Sequence, residues 1–521
     1  MSDYLILTGA TGLVGRYLLR DLLLAGERVA VVVRRQRGQS AELRVEQIMR
    51  FWEERLGRTL PRPVCLHGDV SRPGWDLSEA DYAWLAQRPL RVLHNAAVLT
   101  FHGKDRTGEP WRTNYSGTEH TLELCRELGA TRFHYVSTAY VCGKRQGVIL
   151  EDELDCGQQF RNDYEASKLA AEKLVRECPW LEETTIYRPA VISGDSQTGY
   201  TNTYHGLYLY LKMASVVVSN TRPGPDGRRY TPVRIDMNAD QPRNVIPVDW
   251  VSRVICHLMR DKTAHGKTFH LAPEKPVTPR NVMEAAMAHY NSYGVEFVRD
   301  EAVERPAGSV EDRIQTNRGM YADYEVTDPL FSTANLKRHA GDLPCPPIDE
   351  ALIKKYIVFG EEDRWGKRPA PAPEVSRWAK DVLAVIGRRF EDGGRPRTLA
   401  AIGSATAMPR AEGSEKAAST TAVELGLDIT GPGGGQWTCV LGDDHALRLV
   451  RGLPADERPL LRMTCDELFR LTEGDVEVTQ RRLADLIGAG KGASFAPKLF
   501  ATYFSHSPKR TGEARSRTGV A

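Results

Sequence analysis

The chain has 521 residues, 41% of them hydrophobic and 26% charged, enough for at least one large core. Its 70 Lys and Arg nearly balance 68 Asp and Glu, leaving +2, which argues against a partner held by a global basic field such as nucleic acid. Nine cysteines lie scattered without a CxxC pair or a His cluster at ligand spacing, so neither a disulfide framework nor a metal site is expected.

The N-terminus carries no basic, signal-like start, and no apolar run reaches the roughly 20 residues of a spanning helix; a cytoplasmic protein is expected. Residues 4–8 form a short apolar run, residues 13–25 have helical spacing, and residues 28–33 are β-branched and continuous. Further strands are predicted at 63–66, 91–94 and 132–137, and helices at 114–128 and 163–177. Continuous apolar strands alternating with helices predict an α/β fold whose parallel sheet is covered on both faces. From about residue 196 the alternation gives way to a Gly/Tyr/Pro-rich stretch and resumes at 244–259 and 267–271. This pattern predicts a core over about 1–195 and 244–275, with a substrate lobe over about 196–243 and 276–390. The apolar run 207–218 is open to three readings: a lid, a dimer contact, or a patch that touches a membrane.

Beyond the Pro-rich stretch 367–373, a helix is predicted at 375–390. Residues 391–436 are poor in large apolar side chains and are read as a flexible linker. Strands with a turn at Gly442-Asp443-Asp444 are predicted within 437–450, and helices at 464–472 and 476–487. The expected layout is thus one unit over 1–390, a small α+β domain over 437–507, and a disordered basic tail over 508–521.

Between the first strand and helix lies Thr8-Gly9-Ala10-Thr11-Gly12-Leu13-Val14-Gly15. Gly9, Gly12 and Gly15 suit a tight turn, close approach to a pyrophosphate and close helix–strand packing, with Thr11, Leu13 and Val14 at the phosphates. The second strand ends in Arg34-Arg35, where an acidic residue would hold the ribose hydroxyls of NAD; Arg suits the 2′-phosphate, so NADPH is expected over NADH. Asp69 and Val70 follow the third strand at the adenine position, and Asn95, Ala96 and Ala97 close the fourth where backbone passes the cofactor. Tyr164 and Lys168, four apart on a predicted helix, share one face, and an ammonium there would lower the phenol toward the working pH. Thr138, beside Ser137 at the fifth strand end, is placed to bond a substrate carbonyl; Ser137 is an alternative for that role.

The order TGATGLVG, HNAA, NYSGT, VSTAYV, YEASK and YRPAVISGDSQTG resembles the short-chain dehydrogenase/reductase superfamily in its extended form, over roughly residues 4–275. It is most similar to the branch of fatty acyl-CoA reductases and the thioester reductase domains of peptide synthetases and carboxylic acid reductases. The resemblance implies a Rossmann-type doubly wound parallel sheet with a C-terminal substrate lobe. It assigns Thr138 to the carbonyl, Tyr164 as acid and Lys168 to the ribose and the Tyr, with Asn114, Pro189 and Val191 beside the cofactor. It implies NADPH-dependent reduction of a hydrophobic acyl thioester, as acyl-CoA or on a carrier protein, to aldehyde or alcohol. The same three residues would serve a ketoreductase, an alcohol dehydrogenase or an epimerase acting on a steroid-, polyketide- or nucleotide-sugar-like substrate. A purely nucleotide-sensing protein would need no proton donor at Tyr164. The C-terminal stretch resembles a sterol-carrier-protein-type lipid-binding domain.

Overall fold

A computed structural model describes residues 3–36, 39–298 and 327–367, and the backbone of four strands further on. The chain divides into two compact units, Met1–Arg368 and Pro369–Ala521.

The first unit opens with β1 (Tyr4–Thr8), α1 (Leu13–Leu24), β2 (Val29–Val33), α2 (Ala41–Leu56), β3 (Val64–His67), α3 (Glu79–Ala86) and β4 (Leu90–His94). It continues with α4 (Gly117–Glu127), β5 (Arg132–Val136), β6 (Val148–Ile149), α5 (Asp163–Arg176), β7 (Glu183–Pro189) and β8 (Val191–Ser193). The lobe and closing strands follow: α6 (Leu207–Ser219), β9 (Arg229–Asp236), β10 (Val245–Pro247), α7 (Val248–Leu258), β11 (Thr268–Leu271) and α8 (Pro279–His289). Last come β12 (Ser292–Val298), β13 (Leu330–Phe331), α9 (Ala334–Ala340) and α10 (Glu350–Glu362).

Seven strands make one sheet in the order β11-β7-β5-β4-β1-β2-β3, with every neighbouring pair parallel. Side chains of β1 and β2 alternate between two cores. Leu5, Leu7, Val29 and Val31 meet Leu18, Leu22, Ile48, Trp52, Val251 and Ile255 of α1, α2 and α7. Ile6, Ala30 and Val32 meet Leu85, Leu122, Leu124, Ala171 and Val175 of α3, α4 and α5. Burial on both faces is why these strands read as unbroken apolar runs. The strand order reverses at β1, which opens a crevice at the carboxyl ends of β1 and β4.

The predicted strands and helices of this core stand within two residues of the observed ones, except that the helix expected over 114–128 begins in a π-turn, Arg112–Ser116. α2 and α3 carry clear start signals, Ser40 and Ser78, whose hydroxyls accept the amides of Leu43 and Asp81. In the lobe, α6 packs Leu207, Tyr208, Leu211 and Ala214 against α8 and α10, so the apolar run 207–218 is largely a core helix. β9 and β12 pair in parallel, and Ile235, Met237, Met283 and Phe297 gather beside them. Among the described residues no helix is long and apolar enough to cross a membrane.

In the second unit, β14 (Val423–Thr430), β15 (Gly435–Leu441), β16 (Leu447–Arg451) and β17 (Leu460–Thr464) form a sheet in the order β16-β15-β14-β17. β15 and β16 are the antiparallel pair expected around Gly442-Asp443-Asp444, with Trp437 opposite Arg451. β14 corrects the linker reading: Val423, Leu425, Leu427 and Ile429 alternate as a strand does, a signal diluted by the small-residue stretch before it. The helices predicted at 375–390 and 476–487, nearly all of that at 464–472, and the tail lie outside the described residues.

Candidate active site

The end of β1 is tied to the end of β4 by Thr8. Its hydroxyl lies 2.9 Å from His94 Nδ1 and accepts the amides of Asn95 and Ala96 at 3.1 Å. Gly9 then turns at φ +71°, and a Cβ there would stand 2.8 Å from the Ala96 Cα. A Cβ at Gly15 would come within 2.1 Å of the Gly9 carbonyl oxygen, so α1 can approach the loop only through glycine. Gly12 caps α1 without a side-chain bond, which leaves the first-turn amides for an anion.

A cavity of about 620 Å³ starts at this loop and runs into the lobe. Its wall brings together Gly9, Thr11, Gly12, Leu13, Val14, Arg34, Asp69, Val70, Asn95, Ala96 and Ala97 with Ser137, Thr138, Tyr164, Lys168, Pro189 and Val191. Three residues expected at the cofactor stand outside this wall. Gly15 serves the packing of α1. Asn114 is buried, accepting the Val98 amide at 2.9 Å and donating to the Val98 carbonyl and Ser167 Oγ, so it anchors the π-turn. Arg35 stands on the exposed end of β2.

Arg44 belongs to the wall and was not singled out from the sequence. From the first turns of α2 it donates to the Arg34 carbonyl at 2.6 Å and to Thr11 Oγ1 at 3.2 Å. Partial burial and the neighbouring Arg34 and Arg16 hold its guanidinium below the usual range. The signal was the Ser40 cap, which fixes where α2 begins after β2. Arg34 lies 3.7 Å from Asp69. Burial opposes charge on Asp69, but the Ser71 amide and hydroxyl, with Arg34, keep its carboxyl low.

α5 starts at Asn162, whose side chain accepts the Glu165 amide, with acids in its first turn and bases in its last. That start sets Tyr164 and Lys168 against the end of β5. The Thr138 hydroxyl hydrogen-bonds the Tyr164 phenol. The Ser137 hydroxyl instead donates to Glu172 Oε2 at 2.7 Å. Lys168 is buried and donates to Tyr135 Oη and the Val136 carbonyl, both at 2.8 Å. Burial lowers its ammonium to about 7, against the pull of Glu172. The expected lowering of Tyr164 is not found: burial pushes its phenol up to about 12, the Thr138 bond opposing, while Lys168 is engaged with Tyr135 and Val136. The phenol therefore holds its proton at neutral pH. Further along, the wall becomes mainly apolar, with Leu207, Ile235, Met237, Val282, Met283 and Phe297.

Glycines that admit no side chain, an uncapped helix start and two wall arginines fit a nicotinamide dinucleotide, its phosphates at α1. The doubly wound sheet and this loop are those of an NAD(P)-dependent oxidoreductase. Residues 7–255 match the NAD-binding family model described as male sterility protein.

The chain is 26% identical to a linear gramicidin synthase of Brevibacillus parabrevis over 384 residues, 68% of this chain and 7% of that protein. It is 30% identical over 271 residues to the L-2-aminoadipate reductase of Penicillium chrysogenum (its large subunit), 48% of this chain and 18% of that protein. It thus spans a small part of these curated relatives. Among solved structures, the terminal R domain from the myxalamid PKS-NRPS pathway superposes with a TM-score of 0.56 at 25% identity, covering 71% of this chain and 92% of that one.

Proposed function

We propose that the first unit reduces a hydrophobic acyl thioester, free as acyl-CoA or held by a carrier protein, to aldehyde or alcohol with NADPH. One observation carries this reading: a single cavity joins the glycine loop, the Thr138–Tyr164–Lys168 group and a mainly apolar lobe wall. Thr138 and Tyr164 orient the carbonyl oxygen, and Tyr164, protonated at neutral pH, gives its proton as charge develops there. Lys168, fixed by Tyr135 and the Val136 carbonyl, would hold the ribose. A reduced nicotinamide held at this cavity would supply the hydride to the carbonyl carbon; the C–S bond then breaks, the hydroxyl proton passes to sulfur, and the CoA or carrier thiol leaves as the aldehyde forms. Arg34 and Arg44 favour a 2′-phosphate, which is the basis for NADPH over NADH. The thioester is proposed because the relatives include a gramicidin synthase, an aminoadipate reductase and a terminal R domain.

NADPH oxidation by the purified chain on long-chain acyl-CoA, acyl-carrier and hydrophobic ketone substrates tests this reading. Turnover of thioesters is expected, and turnover of ketones alone would overturn it. The second unit is proposed to hold lipid. Its removal should raise the KM for long acyl chains, and an unmoved KM would count against that role.

A further inference from the structure

The cavity wall carries charge in two places besides Lys168. Arg34, Arg44 and Asp69 stand at the cofactor end; Arg243 and Asp328 stand on the lobe side, where Val245, Val277 and Val282 also line the cavity. Asp328 is buried, and its Oδ2 accepts Tyr140 Oη at 2.8 Å and the Asn244 amide at 2.9 Å. Arg243 pairs its backbone with Val277, and its Nη2 donates to Gln241 Oε1 at 2.9 Å. Its Nη1 lies 3.8 Å from Asp328 Oδ1, too far for a hydrogen bond, and its side chain is 20% exposed. Two links tie this pair to the reacting end of the cavity. The Tyr140 amide donates to Thr138 Oγ1 at 3.3 Å, so a single tyrosine joins Asp328 to the Thr138 hydroxyl. The Asn244 carbonyl accepts the amide of Val191, which follows Pro189 by two residues, and the Pro189 carbonyl accepts the Thr138 hydroxyl at 3.4 Å.

We propose that Arg243 and Asp328 form a polar subsite for the thiol side of the substrate, taking the amide that lies two methylenes from the thioester sulfur. That amide is common to CoA and to the phosphopantetheine arm of a carrier protein. The inference rests on the thioester reading and sharpens it. A hydrophobic acyl chain offers a guanidinium and a carboxylate nothing, so the arm is the part of the substrate that they match. A guanidinium donates to a carbonyl and a carboxylate accepts from an N–H, which are the two halves of one amide. Facing each other, the two groups present little net charge, which suits a neutral polar group better than an anion. Their link to Thr138 through Tyr140 sets them within reach of an amide whose thioester carbonyl lies at Thr138 and Tyr164. A buried ion pair is by itself a weak source of stability. In a substrate wall the same pair gives the amide both of its partners.

The test removes the amide from the substrate and the guanidinium from the full chain in turn. One acyl group is offered as its N-acetylcysteamine thioester, which carries the amide, and as an alkyl thioester of the same length, which does not. Arg243→Leu should cut kcat/KM roughly tenfold more for the first than for the second, mainly through KM, as expected for a lost hydrogen bond from a charged group. A merely structural role would lower both alike, and an unchanged ratio overturns the inference. Should Arg243→Leu fail to fold with Asp328 left unpaired, the double variant Arg243→Leu, Asp328→Asn removes both charges and is read in the same way. Calorimetry with pantetheine on the NADPH-loaded chain supplies a readout without turnover, and Arg243→Leu should weaken that binding about tenfold. Weakened pantetheine binding with no turnover of any thioester would fail the functional reading and leave this one standing. Thioester turnover with pantetheine affinity unmoved by Arg243→Leu would overturn this inference alone.

Discussion

Lys168 donates to the Tyr135 hydroxyl at 2.8 Å, with its ammonium 4.3 Å from the centre of the same ring. Tyr135 is wholly buried on β5, and Thr118 hydrogen-bonds its hydroxyl. A strand residue 33 positions upstream thus fixes the lysine that the helix presents. Tyr135→Phe leaves the ammonium with the Val136 carbonyl. Loss of a hydrogen bond to a charged group, about 1.5–3 kcal/mol, should lower the melting temperature and reduce kcat roughly tenfold. A kcat equal to wild type would show that the hydroxyl does not hold Lys168.

Lys168 also makes stability depend on pH. Burial drives its ammonium from 10.5 to about 7 in the folded chain, while the unfolded chain keeps the proton to about 10.4. The unfolded state therefore binds more protons between these values. The penalty for burying the charge is full below about pH 7 and fades as pH rises toward 10.4. Melting of wild type against Lys168→Met should show the difference moving in favour of wild type from pH 7 to pH 10. A difference constant across that range would mean that Lys168 titrates normally.

Tyr164→Phe removes the proposed proton donor and little else, since its hydroxyl bonds Thr138 at the cavity wall. A fall in kcat of roughly 10²–10⁴-fold is expected, with NADPH affinity nearly intact. Loss of both together would place Tyr164 in cofactor binding alone. Thr138→Val should resemble Tyr164→Phe. Ser137→Ala, whose hydroxyl is committed to Glu172, should chiefly lower stability by about 1–3 kcal/mol. Equal kcat losses from the two would return Ser137 to the catalytic role.

Arg44→Ala should weaken NADPH roughly 10- to 100-fold and NADH much less, as expected for loss of a charged hydrogen bond to phosphate. Arg34→Ala should act in the same direction. Titration of both cofactors by fluorescence measures the ratio, and an unchanged ratio would remove these residues from cofactor choice.

The core strands were legible in the sequence because burial on both faces leaves an unbroken apolar run, as in VAVVV of β2. The glycine loop and the Tyr164–Lys168 spacing were legible because each depends on local geometry. Arg44 was not, since it reaches the cavity only through the start of α2 and the turn from β2. β14 was missed because its alternation runs on directly from a low-complexity stretch.

By itself, the amino-acid sequence determined the parallel α/β core, the nucleotide-type loop and the residues available for proton transfer, all consequences of short-range periodicity and spacing. The tertiary structure decided how those residues are divided. Neighbours Ser137 and Thr138 go to different partners because the end of β5 passes between Glu172 and Tyr164. Lys168 turns to Tyr135 and Val136, and burial then sets the charge of both lysine and phenol. Such outcomes depend on distances between elements far apart in the chain, and neither spacing nor composition encodes them.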